Sequence, residues 1–394
     1  MPQITTRAVS VGELLDVMYP LDTYAFESSP PLPDKTEWLG GTEELSTATI
    51  VATFADGKPV ASALGWWMTQ QVRGALFPMA GLAGIATALP ERRKGYTRRT
   101  IGYLLAQMRE EGKIFSCLYP FRESFYERLG YIGFPQARLV KFTPAVLLPL
   151  LKQAIDGDYE QLLILDGYQV FRSQMRQLRQ QIHGLAIFDG DRKITQNTTW
   201  LLLAKVAGEI AGLMLYNLKG DLPQEFKLNI YRFYYHTHQG RYLLLQWIAH
   251  HTDQANAVEM RLPAFEQPET WLADLNIQSE TLHWPRTPMG RVLEVAKIGG
   301  MTTGAGHFTA RIVDPLCPWN EGNWNFETMD GVLRVETAKQ ADCEINIQAL
   351  SSLVYGTLDP ADWVFRGWGN PSPELQAVLR SMFPPKVPYL HESF

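Results

Sequence analysis

The feature that most limits what this chain can fold into is a basic turn set between an apolar strand pattern and an amphipathic helix. Leu82-Ala83-Gly84-Ile85-Ala86-Thr87 is small and apolar and reads as a buried strand. Ile101, Leu104, Leu105 and Met108 fall at the i, i+3, i+4, i+7 spacing of one helix face. Arg92-Arg93-Lys94-Gly95-Tyr96-Thr97 lies between them. A strand running through a turn into a helix points the first backbone N–H groups of that helix at the turn, which suits an anion and phosphate above all. Gly95 lets the backbone approach such a ligand, and Arg92, Arg93 and Lys94 add positive charge. The turn is neither a Gly-Lys-Ser/Thr loop nor a Gly-x-Gly-x-x-Gly fingerprint, so nucleotide-triphosphate and dinucleotide motifs do not describe it. The plain alternative is a solvated basic helix start.

A second apolar strand, Ile114-Phe115-Ser116-Cys117-Leu118-Tyr119, follows the helix, and then comes Phe125-Tyr126-Glu127-Arg128-Leu129-Gly130-Tyr131. Ahead of the turn, Val11 to Tyr19 reads as a helix and the proline-rich loop from Ser28 to Pro33 as non-helical. Strands at about Ala48 to Phe54 and Val60 to Trp67 flank Asp56-Gly57-Lys58-Pro59, a hairpin turn.

The chain has 394 residues, which implies two or three units at roughly 100–200 residues per domain. It is 46% hydrophobic and 20% charged, enough apolar material for a sizeable core. A net charge of -5 argues against nucleic acid as the main partner. Cys117, Cys317 and Cys343 are odd in number and widely spaced, which suits reduced thiols and gives neither a disulfide frame nor a metal site. The N-terminal residues lack the apolar core of a secretory peptide, and the expectation is a cytoplasmic protein with no membrane span.

The elements repeat. A helix at Phe171 to Ile182, a hairpin at about Trp200 to Ala204 and Ile210 to Tyr216, and a strand at Lys227 to Tyr235 lead into a second turn, His236 to Tyr242, and a helix to His251. The turn has lost the basic run and keeps only Gly240 and Arg241. His236, His238, His250 and His251 could hold a metal, but with no carboxylate or cysteine pattern beside them core or solvated histidines are the better reading, and no metal is expected. From about Pro285 the texture changes to short strands at Gly322 to Thr328, Val332 to Thr337 and Cys343 to Ile347, a helix at Ile347 to Tyr355 and a last helix at Leu375 to Phe383. The tail from Pro384 to Phe394 holds three prolines and cannot be helical.

The strand, the Arg-x-x-Gly-x-small turn and the helix resemble the pyrophosphate-binding turn of the GNAT acetyltransferases, which hold acetyl-coenzyme A. The Phe125-Tyr126…Gly130-Tyr131 run resembles that family's closing motif, where a tyrosine faces the thioester sulfur. The third unit loosely resembles the sterol carrier protein fold. An intact GNAT unit, a degenerate one, a carrier-like unit and a final Ser393-Phe394 together resemble the enhanced intracellular survival (Eis) acetyltransferases over essentially the whole chain. The resemblance implies an α/β fold of mixed sheets, with tandem GNAT folds followed by a sterol carrier protein-like α+β domain. The expected domains are 1–150 (catalytic), 151–284 (degenerate) and 285–394 (carrier-like, its tail reaching the active site). It further implies acetyl transfer from acetyl-coenzyme A to amines of aminoglycosides, at several positions, by a homohexamer.

On that reading Tyr126 protonates the departing thiolate, and a backbone N–H near Ile85 meets the oxyanion. Arg92, Arg93, Gly95, Tyr96 and Thr97 hold the cofactor. The Phe394 carboxylate attracts an ammonium group, since at an ordinary pKa of about 3.3–3.7 it is a weak base. Asp22, Glu27, Asp34 and Glu392, with Trp38, would line a negative pocket for a polycation. Taken singly, each acid reads more readily as a solvated side chain, and Trp38, Trp66 and Trp67 as ordinary core. Thr97 stands where a smaller residue is usual, and Phe121 where relatives often carry a small polar one. Two other classes stay open: a protein-lysine or small-polyamine acetyltransferase, and a non-enzymatic protein holding an apolar ligand in the carrier-like unit.

Overall fold

The computed structural model describes residues 2–27, 29–40, 45, 47–190, 192, 194, 196–222, 225–282 and 286–394. Ser28 of the proline-rich loop, and residues 284 and 285 at the expected start of the third unit, lie outside them. The chain forms two compact units. One comprises Met1–Pro135, Arg179–Arg192 and Thr287–Phe394, the other Gln136–Leu178 and Lys193–Arg286.

The first unit is built on a sheet of β1 (Ile4–Ala8), β2 (Ala48–Ala55), β3 (Lys58–Val72), β4 (Ala75–Thr87), β5 (Phe115–Leu118) and β6 (Ile132–Gly133). Two hairpins make its antiparallel half. Asp56 and Gly57 turn β2 into β3 with φ of 47° and 78°, and Arg73 and Gly74 turn β3 into β4 with 46° and 86°; these are left-handed pairs matched to strand twist. β4 returns through the helix Tyr96–Glu110 to β5, which lies parallel to it. That helix buries Ile101, Leu104, Leu105 and Met108 completely against the sheet, the stripe its spacing gave. Each such side chain is worth about 1.5–3 kcal/mol.

Two distant segments complete this sheet. Ala186–Phe188 pairs with β3, and Met289–Val292 inserts between β5 and β6, antiparallel to both. Beyond it lies a four-stranded sheet in the order Val332–Thr337, Gly322–Met329, His307–Val313, Cys343–Asn346, packed by the helices Ile347–Tyr355 and Pro373–Met382. A buried polar seam ties these parts together. Arg73 donates to the carbonyls of Val354 (2.7 Å), Leu353 (2.9 Å) and Pro384 (3.0 Å), and its own N–H donates to His183 Nδ1 (3.1 Å). His183 Nε2 lies 3.0 Å from the Tyr355 carbonyl, and the Tyr355 hydroxyl donates to Gln70 Oε1 (2.8 Å) beside Cys117. Burial raises the Cys117 thiol to about 12, which leaves it inert core.

The second unit repeats the path. Its sheet runs Gln278–Thr281, Arg138–Phe142, Ala255–Leu262, Phe226–Tyr235, Glu209–Lys219, Trp200–Val206, Asp158–Leu163. The hairpin at Trp200–Lys219 and the antiparallel strand Phe226–Tyr235 lead into the helix His238–Ala249, and Ala255–Leu262 returns parallel. The expected helix at Phe171 begins earlier, at Ile164, and ends at Arg179. Among the described residues, no helix is long and apolar enough to cross a membrane.

The seam has a pH consequence. Burial holds His183 down to about 3, and the Arg73 and Lys386 charges push the same way. The folded chain therefore keeps it neutral while the unfolded chain protonates near 6.5, so stability should fall as pH drops from about 6.5 toward 3. Chemical denaturation should show about 2 kcal/mol of this loss between pH 7 and pH 5, absent in a folded His183→Asn variant. An unchanged slope in the variant would contradict the assignment.

Candidate active site

The site begins where two strands part. β4 pairs with β5 only from Met79↔Phe115 to Leu82↔Leu118, so β4 from Ala83 onward has lost that neighbour. On its other edge a bulge against Ser62–Leu64 carries Gly84 at φ 55° and Ile85. Backbone groups on the freed edge, the Ile85 region among them, are available to a ligand.

Past the end of β4 lies the basic turn. Arg93 and Gly95 take positive φ, 66° and 86°, and Gly95 is the N-cap of Tyr96–Glu110. Among the described residues no side chain caps that helix, which leaves its first N–H groups to another acceptor. Arg92, Arg93 and Lys94 are exposed; Lys94 pairs with Glu91 (3.0 Å), and the Arg92 Nε reaches the Thr87 carbonyl (3.5 Å). Thr97 turns its hydroxyl to Thr87 (2.7 Å), away from a purely backbone role, and Tyr96 is half-buried.

The corresponding helix of the second unit is closed. Thr237 caps it by accepting from Gly240 N (3.1 Å), and a side chain at Gly240 would collide with the Ala211 backbone. Arg241 is stacked among Tyr235, Tyr242 and Trp271. His236 bonds Gln174 (2.7 Å) and His251 bonds the Trp247 carbonyl (2.9 Å). Among the described residues, no group of three His, Cys, Asp or Glu side chains is arranged to hold a metal.

Tyr126, on the short helix Glu123–Glu127, is 3% exposed and packs in the same cluster as Leu82, Leu118 and Ile101, beside the parting strands. Phe121, Phe125 and Tyr131 surround its ring at 5.6, 5.0 and 6.2 Å. Burial holds its phenol above the ordinary value, and among the described residues the hydroxyl has no hydrogen-bond partner. Tyr131 differs: its hydroxyl is bonded to Ser116 (2.8 Å).

The tail arrives at the same place. A Cβ on Gly81, one residue before the strands part, would lie 2.9 Å from the Phe394 ring. That ring also meets Tyr119 (5.5 Å) and Phe188 (6.2 Å). Tyr119 donates to the Glu392 carbonyl (2.8 Å), so Glu392 is fixed through its backbone. Arg192 donates to the Ser393 carbonyl (3.3 Å) and lies over Phe188 (4.3 Å) and Trp66 (5.2 Å). Tyr119, Phe188 and Arg192 were not singled out in the sequence; only the polar-tipped aromatic at the end of β5 offered a signal.

The acids expected at the acceptor side divide. Asp22 accepts from Trp38 Nε1 (3.3 Å); burial raises its pKa, and nearby Glu27 adds to the rise while the Trp38 bond opposes it. Glu27 is exposed at the end of the segment Thr23–Glu27, with Tyr24 and Phe26 also exposed. Asp34 is occupied as a cap, accepting from Glu37 N (2.8 Å) at the start of Lys35–Gly40. Replacing Gly81 by Val should evict the Phe394 ring. Carboxypeptidase should then release Phe394 faster than from the unaltered protein; an equal rate would mean that the ring contact does not hold the tail.

Residues 7–133 match the family model described as an acetyltransferase (GNAT) domain, and residues 293–391 match a sterol carrier protein domain. No curated protein sequence matches the chain significantly. A GCN5-related N-acetyltransferase from Anabaena variabilis has the same fold at a TM-score of 0.83 and 16% identity, covering 98% of this chain and 99% of that one. One from Kribbella flavida gives 0.78 and 19%, over 100% and 99% of the two chains. Eis1 from Mycobacterium abscessus gives 0.76 and 14%, over 100% of each. At such identities the likeness establishes the fold. The chain is thus an acyltransferase with a GNAT acetyltransferase domain at its N-terminal end and a sterol carrier protein domain at its C-terminal end.

Proposed function

We propose that the protein transfers acetyl groups from acetyl-coenzyme A to amines of aminoglycoside-like polyamines, at more than one position. The observation that carries the reading is Tyr126, a side chain only 3% exposed whose hydroxyl has no hydrogen bond among the described residues, packed in the cluster that holds Leu82 and Leu118, where β4 and β5 part. Arg92, Arg93 and the N–H groups from Gly95 to Thr97 hold the pyrophosphate, and the freed edge of β4 takes the pantetheine arm and, near Ile85, the oxyanion. A neutral amine attacks the thioester carbonyl and the C–S bond breaks. The thiolate takes the Tyr126 proton, the new amide nitrogen loses one to water, and solvent restores the phenol. Burial that disfavours tyrosinate also disfavours a thiolate lodged beside it, so both partners of the transfer are pushed the same way. Asp22 and Glu27 draw the cationic acceptor, and the Phe394 carboxylate fixes its ammonium group. The same reading carries a hexameric, cytoplasmic enzyme.

A specific observation favours a second acceptor class. Arg192 sets positive charge against the tail, and Tyr24 and Phe26 expose aromatic surface beside Glu27, which suits a lysine side chain within a peptide as well as a polyamine. A panel of aminoglycoside, polyamine and peptide acceptors, read by thiol release, separates them. More than one thiol per aminoglycoside, lost in Tyr126→Phe, supports the proposal; release only with peptides or polyamines replaces the acceptor. The Arg92→Ala/Arg93→Ala pair should raise the acetyl-coenzyme A KM about 10-fold, and added salt should weaken binding less than in the parent. With the Tyr126 phenol held above its ordinary value near 10, activity should not fall through loss of its proton between pH 7 and pH 10.

A further inference from the structure

The helix that carries Tyr126 is five residues long and ends in a tight turn, with Leu129 N donating to the Tyr126 carbonyl (2.9 Å) and Gly130 N to that of Glu127 (3.0 Å). A helix so short does not hold itself, and the turn that ends it is braced by further donors. They come from the C-terminal segment. Arg291 Nη1 donates to the Leu129 carbonyl (2.5 Å), Gln348 Nε2 to the Glu127 carbonyl (2.7 Å), and Arg366 Nη2 pairs with the Glu127 carboxylate (2.8 Å).

Arg291 is itself fixed. It is fully buried, its Nη2 pairs with Asp314 Oδ2 at 2.5 Å, and its Nε donates to the Val292 carbonyl (3.1 Å). Asp314 in turn accepts from Asn320 Nδ2 (2.9 Å) and Cys317 N (3.3 Å). Gly130 leaves room for this contact: it takes φ of 92°, and a Cβ there would lie 2.6 Å from Arg291 Nη1. Since no described residue bonds the Tyr126 hydroxyl, its direction is set by the rings packed around it and by where the backbone turn puts the side chain.

We propose that Arg291, held by Asp314, acts with Gln348 and Arg366 as a set of positioning residues for Tyr126, so that the C-terminal segment is part of the transfer machinery rather than an attachment to it. The proposal rests on Tyr126 being the proton donor. A displacement of about 1 Å at a reacting group can cost about 100-fold in rate, and loosening two of the three donors should cost part of that.

The test uses the full chain and the acceptor giving the fastest thiol release in the panel above. Gln348→Leu/Arg366→Gln lies away from the buried ion pair and should leave the fold intact, as thermal unfolding will show; Arg291→Met is measured beside it. The double variant should lower kcat about 10-fold with acetyl-coenzyme A affinity changed by less than about 2-fold, and cause no further loss when added to Tyr126→Phe. Arg366→Lys, which keeps a partner for Glu127, should restore most of the rate to the Gln348 parent. Unchanged kcat in the folded double variant, or an equal loss in the Tyr126→Phe background, overturns the proposal. If Tyr126→Phe alone leaves thiol release intact, the proton-donor reading falls and the positioning role with it. Loss in Tyr126→Phe without loss in the double variant removes the positioning role only.

Discussion

β4 keeps its parallel neighbour for four residues and then runs on paired with β3 alone, and the other features of the site are arranged around that separation. An interior strand that leaves its partner exposes a row of N–H and C=O groups that need another acceptor or donor. The bulge at Gly84 re-aims this backbone, and the helix Tyr96–Glu110 supports it from one face through Ile101, Leu104 and Leu105. At the strand's far end, Gly95 opens an uncapped helix start. Near the point of parting stand the Tyr126 ring and, against Gly81, the ring of Phe394.

The two units show how little separates an open helix start from a closed one. Both follow hairpin, strand, helix and parallel strand. In the first, a glycine with no side chain stands at the helix start; in the second, Thr237 supplies the acceptor internally and Arg241 is spent on three aromatic rings. A helix start whose N–H groups are already satisfied, with its nearby cation stacked, has little left for phosphate.

The sequence made the local parts of this site legible because their causes are local. The 3.6-residue stripe of Ile101 to Met108 is visible in any helix wheel, and Gly95 and Asp56-Gly57 mark left-handed backbone by residue type. The helix at Ile347 and the strands at Gly322 and Val332 likewise follow from period and turn residues. Pairings between distant segments were not legible. Met289–Val292 is short and fully buried, and nothing in its four residues says that it lies between β5 and β6. The same holds for Ala186–Phe188 on β3. The acids illustrate the limit at side-chain level: Asp22 and Asp34 look alike in sequence, yet one is half-buried against Trp38 and the other caps a helix. Arg291 is a buried cation bound to the tyrosine turn, a contact with a segment far away in the chain that no local pattern announces.

A structure with coenzyme A bound tests the central claim most directly. The account expects the pyrophosphate oxygens on the N–H groups that follow Gly95, and the sulfur within about 3.5 Å of the Tyr126 hydroxyl oxygen, beside the freed edge of β4. Coenzyme A bound at the helix start of the second unit, or at the first with its sulfur turned away from Tyr126, would contradict it.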